Sequence, residues 1–112
     1  MGRFTTICLL IVVLSGCLDT SKIAPHVVQL GAVENVELLE EGREVYINKC
    51  TKCHNAVRIS RFSRWEWDTE ILPDMIDEAT LDSHEVTAIT AYVHAVLKHQ
   101  SELYSSAGSS SR

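Results

Sequence analysis

The sequence predicts an all-α fold of three main helices. Three observations carry that expectation. Apolar residues recur at helical spacing in three stretches between residues 36 and 99, two of those stretches open on a capping-box pattern, and strand-like alternation is missing from the same region. A chain of 112 residues is enough for one small domain. Its 10 Lys and Arg stand against 15 Asp and Glu, a formal charge of -5, and no basic run forms a stripe. That balance excludes a nucleic-acid-binding face.

The first helix is expected from Val36 into the segment ending at Lys52, with Leu38, Leu39, Val45, Tyr46 and Ile47 as its apolar positions. Gly42 costs such a helix about 1 kcal/mol relative to alanine. Either another helix approaches its backbone closely, or the glycine is simply tolerated. Ser63-Arg64-Trp65-Glu66 has capping-box form and opens the second helix, which sets Trp67, Ile71 and Met75 on one face. Pro73 interrupts it, because proline lacks the N–H and its ring clashes with the preceding turn. The helix is expected to end or kink near Leu72, with Met75 on a turn or a fresh short helix. The third helix has Asp82 as N-cap and Glu85 three residues on, and should run from Ser83 to about His99. Val86, Ile89, Val93, Val96 and Leu97 form its apolar stripe, with Tyr92 beside it.

The termini read differently. Arg3 precedes the apolar run Ile7–Leu14, whose eight residues rise about 12 Å as a helix, far less than a bilayer core. Residues 1–16 therefore read as an export signal. Leu14-Ser15-Gly16-Cys17 resembles the bacterial lipoprotein cleavage box, which implies that Cys17 becomes the lipidated first residue of a 96-residue mature chain; an ordinary signal peptide is the alternative. More than one acyl chain is needed for stable anchoring, and a lipidated cysteine supplies it. Leu18 follows Cys17, and under the enterobacterial sorting rule that favours the outer membrane. Residues 17–35, with Pro25, Gly31 and no clean period, read as a flexible tether, and the Ser-rich residues 101–112 as a disordered tail. The domain proper is then 36–100, a size that usually needs a metal, a disulfide or a cofactor to complete its core.

Of the four cysteines, Cys8 lies inside the leader and Cys17 closes it, which leaves one close pair in the domain and excludes a disulfide-rich scaffold. That pair sits in Cys50-Thr51-Lys52-Cys53-His54, and Cys-x-x-Cys-His is the attachment pattern for c-type haem. Two thiols three residues apart share one side of a helical turn, so each can add across one vinyl group of the porphyrin, and the next imidazole falls beneath the iron. One motif predicts one covalently bound haem c, with His54 as proximal ligand. A thioredoxin-like thiol pair would need a βαβ context that this chain lacks. Structural zinc would need four ligands where the motif offers three.

At these residues the chain resembles the small class I cytochrome c family. Gly42-x-x-x-Tyr46-x-x-x-Cys50-Thr51-Lys52-Cys53-His54 is similar to the family's N-terminal helix and haem motif, and Leu81-Asp82-x-x-Glu85-x-x-x-Ile89-x-x-Tyr92-Val93 to its last helix. The resemblance implies a compact cytochrome c-like domain of three main helices around one haem, with Gly42 and Tyr46 packed on Ile89, Tyr92 and Val93. Only 21 positions separate His54 from Met75, fewer than in the usual members; compact relatives run from a Trp-containing helix directly to the methionine. Met75 is the expected distal ligand, with a plain core methionine as the alternative. His84 is the substitute ligand, while His26, His94 and His99 read as tether, surface and helix end. Trp67 is expected to pack at the haem edge, and Trp65 at the pocket rim or in solvent, since two residues two apart cannot share a helical face.

A haem held by histidine and methionine has no open position, and the thioether favours the ferrous state. The function this implies is single-electron transfer between redox partner proteins on the periplasmic side, from a membrane anchor and without bond chemistry. The competing classes are a sensor or a peroxide-reducing protein with an open or labile iron, and a haem subunit of a larger respiratory complex. Charge is bipolar along the chain. Lys52 lies within the motif and Lys49, Arg58, Arg61 and Arg64 flank it, whereas residues 65–97 contain no Lys or Arg and eight carboxylates. Each pole can steer a partner of opposite sign, or be no more than solvated surface.

Overall fold

The computed structural model of the chain describes residues 20–52 and 57–109, and among these every regular element is helical. In chain order they are α1 (Thr20–Ile23), a 3-10 turn (Val27–Leu30), α2 (Val36–Asn48) and a 3-10 turn (Cys50–Lys52). A 3-10 turn (Ile59–Arg61), α3 (Arg64–Glu66), a π turn (Trp67–Ile71), α4 (Leu72–Glu78) and α5 (Ser83–Ser109) follow. None of the described helices is long and apolar enough to cross a membrane.

The frame is the crossing of α2 on α5. α2 starts where expected: Asn35 is its N-cap, and the Asn35 side chain accepts from the Leu38 N–H at 3.2 Å. It buries Leu39, Gly42 and Tyr46, positions three and four apart and hence one face. That face meets Ala88 and Tyr92 of α5 so closely that a Cβ on Gly42 would lie 2.1 Å from the Ala88 carbonyl oxygen. The glycine is required by the crossing. Ile89, Val93 and Val96 of the expected α5 stripe are buried, but Val86 and Leu97 are only half-buried, while Ala88 and Tyr92 are fully buried. The close approach at Gly42 selects this rotation, because only a small residue fits beneath it.

The second helical stretch solves its proline with a change of pitch. Ser63 caps it, accepting from the Glu66 N–H at 3.3 Å, while the Glu66 carboxylate accepts from the Ser63 N–H at 2.7 Å. The Leu72 N–H then bonds to the Trp67 carbonyl, five residues back, and this wide turn delivers Pro73 into the first turn of α4, where a missing N–H costs nothing. Met75 lies on α4, which the π turn joins to α3 without a gap; of the turn or fresh short helix expected there, the residue is helical, in a run that continues rather than ends near Leu72.

α4 closes in a Schellman turn, with the Leu81 N–H on the Ile76 carbonyl at 3.1 Å and the Thr80 N–H on that of Asp77 at 3.2 Å. Thr80 holds the left-handed position at φ 52°, where a β-branched residue is strained. Thr80→Gly should therefore stabilise the fold by about 1 kcal/mol in a denaturant melt; no gain would mean that the threonine is held without strain.

Two terminal expectations are corrected. Residues 17–35 do not form a free tether throughout: from Thr20 the chain packs on the domain, with Ala24, Val27 and Leu30 buried. Arg43 Nε donates to the Ala24 carbonyl at 3.1 Å, and the Tyr92 hydroxyl to that of Pro25 at 2.6 Å, so the segment is tied to both long helices. Its short, mixed turns hide the apolar period that a regular helix would display. Nor do residues 101–109 form a disordered tail, because α5 continues ten residues past His99. The hydroxyls of Ser101, Ser105 and Ser106 donate to the carbonyls of Lys98, Ser101 and Leu103, satisfying themselves on their own helix.

Candidate functional site

α2 gives way at Lys49 to the turn that carries Cys50, which is only 4% exposed and joins the main core. The Thr51 hydroxyl donates back to the Ile47 carbonyl and fastens that turn to the end of α2. Cys53 and His54, the other members of the motif, lie outside the described residues, as does Cys17. Of the six predicted site residues, the structure thus describes Cys50, Trp67 and Met75, and all three belong to one hydrophobic cluster.

Trp67 is fully buried, at the first position of the π turn. Its indole Nε1–H donates to the Ile59 carbonyl at 2.8 Å, and its ring meets Tyr46 and Phe62 edge-on, with centroids 6.2 and 6.3 Å away. Trp65, two residues earlier, is 65% exposed, as helical geometry requires. Met75 is half-buried against the same cluster, together with Ile71 and Ile76.

Two residues frame the motif in a way that the sequence did not disclose. The Tyr46 hydroxyl donates to the Val57 carbonyl, and Ile59, fully buried, presents its carbonyl to Trp67. The chain after the motif is therefore gripped from α2 and from the π turn, at the first and third described residues that follow it. Burial, and then the nearby Cys50 thiol, push the Tyr46 hydroxyl far above its ordinary pKa, so it remains a neutral donor. No sequence signal pairs Tyr46 on α2 with Val57, eleven residues on and beyond the turn that carries Cys50.

The remaining histidines have other partners. His84 is exposed and 2.6 Å from Glu41 across the α2–α5 groove. His94 was read as plain surface, yet it joins α5 to the π turn: its Nε2 lies 2.6 Å from Asp68 Oδ1, and Arg64 reaches its Nδ1 at 3.2 Å. The hydrogen bond from His94 is the main reason the Asp68 carboxyl is held below its usual range, with Arg64 adding to it. Among the described residues no three His, Cys, Asp or Glu side chains converge as a metal site. Comparison with protein-family models, curated proteins and solved structures gives no match to this chain.

Proposed function

We propose that the chain is a monohaem c-type cytochrome on a lipid anchor, passing single electrons between redox partner proteins. The observation that carries this reading is the Cys50-x-x-Cys53-His54 motif, set directly after a helix whose Gly42 crosses α5 in backbone contact. Cys50 and Cys53 would hold one haem c by thioether bonds, His54 would take the proximal position and Met75 the distal one. When bound, the group supplies a one-electron couple, which no side chain of the chain offers.

The described residues fit such a group. Cys50 is held at the base of the core, and its turn is fastened to α2. Met75 is presented by a helix whose start is fixed by the π turn and Pro73, so the thioether is held by packing on both sides of it in sequence. Trp67, buried and edge-on to the half-buried Phe62, would offer such a group an apolar wall. With both His54 and Met75 as ligands, such a group would have no position for substrate, and electron transfer would be its task.

Expression in an export-competent host, with spectra in both oxidation states, tests the proposal. The expected product is red, with low-spin ferric iron and a weak far-red sulphur-to-iron band. Met75→Ala should abolish that band and leave iron that takes external ligands. Retention of the band in Met75→Ala would overturn the distal assignment. High-spin ferric iron in the unaltered protein would favour the sensor or peroxide-reducing class, and co-purification with a membrane complex would favour the subunit reading.

A further inference from the structure

Met75 is presented by a helix with little packing of its own. Of α4, Leu72 is buried and Met75 and Ile76 are half-buried, while Pro73, Asp74, Asp77 and Glu78 are exposed. Its place is therefore set by the run that leads into it. α3, the π turn and α4 follow one another without a gap, so a rotation at residues 67 and 68 is carried to Met75, about 10 Å further along the axis.

That run is pinned at two adjacent positions. Trp67 lies in the core and gives its indole N–H to the Ile59 carbonyl at 2.8 Å. Asp68 meets α5 instead, with its Oδ1 2.6 Å from His94 Nε2. Successive residues project roughly a quarter turn apart, so pins on both resist rotation as well as sliding. Arg64, the first residue of α3, closes the group: its Nη2 lies 3.2 Å from His94 Nδ1 and its Nε 3.4 Å from Asp68 Oδ2. His94 has a firm base, because its neighbours Tyr92, Val93 and Val96 are buried residues of α5.

A guanidinium has no acceptor, so the lone pair of His94 Nδ1 faces Arg64 and the ring hydrogen sits on Nε2, toward the Asp68 carboxylate. His94 thus accepts from α3 and donates to the π turn at once. Its side chain is 26% exposed and that of Asp68 38%, and pairs this open add little to overall stability. Their effect is on register, because they decide where the π turn sits on α5.

We propose that His94 is a positioning residue for the distal methionine: its hydrogen bonds to Asp68 and from Arg64 fix the π turn on α5, and so the place at which α4 presents Met75. The proposal rests on the reading of Met75 as a ligand to iron.

The test uses the full mature protein from an export-competent host. Two rates are compared: amide exchange of residues 72–78, read by mass spectrometry, and cyanide binding to the ferric protein, which requires Met75 to leave the iron. His94→Leu makes neither hydrogen bond, and both rates should rise about fivefold while exchange in α2 stays unchanged. Asp68→Ala removes the pair from its other end and should act in the same direction. His94→Gln is the rescue: its amide can donate to Asp68 and accept from Arg64, so both rates should stay within about twofold of the unaltered protein. Unchanged rates in His94→Leu overturn the proposal alone, as does an acceleration that α2 shares, which is a general loss of stability. So does His94→Gln behaving like His94→Leu, which would reduce the imidazole to packing. Faster exchange with unchanged cyanide binding overturns it too, since the tie would then hold the helix without placing the methionine. An unaltered protein with no far-red sulphur-to-iron band removes the Met75 reading, and this assignment falls with it.

Discussion

Gly42→Ala should lower the stability of the domain by about 2 kcal/mol or more, although alanine is the better helix former. The new methyl would meet the Ala88 carbonyl oxygen at 2.1 Å, the Ala88 carbonyl carbon at 2.7 Å and the Tyr92 Cβ at 2.6 Å. Two of these atoms are backbone and the third is fixed to it, so no rotamer change relieves the clash. α2 and α5 must move apart along their whole contact, which includes Leu39, Tyr46, Ile89 and Val93. The gain of about 1 kcal/mol in helix propensity offsets only part of that overpacking cost. Total stabilities of small domains are about 5–15 kcal/mol, so the loss is a large share. A thermal melt followed by circular dichroism should fall by roughly 10 °C. Gly108→Ala is the control: it has open space around the added methyl, and its midpoint should hold or rise. If Gly42→Ala melts as high as the unaltered chain, the helices do not cross in backbone contact.

How much of this was legible in the sequence depends on the range of the interaction. Both capping boxes, at Ser63–Glu66 and Asp82–Glu85, were readable because each is a local exchange of hydrogen bonds three residues apart. A disturbance at Pro73 was readable for the same reason, but not its form: the helix neither ends nor restarts there, and a π turn that begins at the buried Trp67 absorbs the proline. Gly42 left two readings open, and only a partner helix distinguishes them. Residues 20–30 were misread because their order comes from long-range ties, Arg43 to Ala24 and Tyr92 to Pro25, rather than from a periodic pattern. In the Ser-rich segment, composition suggested disorder, while serine hydroxyls bonding to carbonyls three and four residues back suit a helix continuing from a packed one. At the candidate site, the motif and Met75 were legible as chemistry. The grip on the chain after the motif was not, since Tyr46–Val57 and Trp67–Ile59 pair residues whose sequence positions carry no pairing signal.

Trp67→Ala should remove about 3–5 kcal/mol through the cavity alone. A further share comes from the Ile59 carbonyl, which would lose its buried donor; such orphaned groups cost about 1–3 kcal/mol. The sum is comparable with the whole stability of a domain of this size, so the variant is expected to be unfolded or molten at room temperature, with near-ultraviolet dichroism lost. Trp67→Phe separates the two contributions. It retains most of the apolar contact with Tyr46 and Phe62 but cannot donate, so it should remain folded with a loss of about 1–3 kcal/mol. Tyr46→Phe makes the matching change at Val57, the other point where the chain is gripped after the motif. Because Trp67 and Tyr46 touch, their effects should not add: the double phenylalanine variant should lose less or more than the sum by at least about 0.5 kcal/mol in a double-mutant cycle. Strict additivity would mean that the two hydroxyl and indole donors hold Val57 and Ile59 independently, and that the segment after the motif is not clamped as a unit. A Trp67→Ala protein that melts like the unaltered chain would remove the indole from the core altogether, and with it the wall proposed beside Met75.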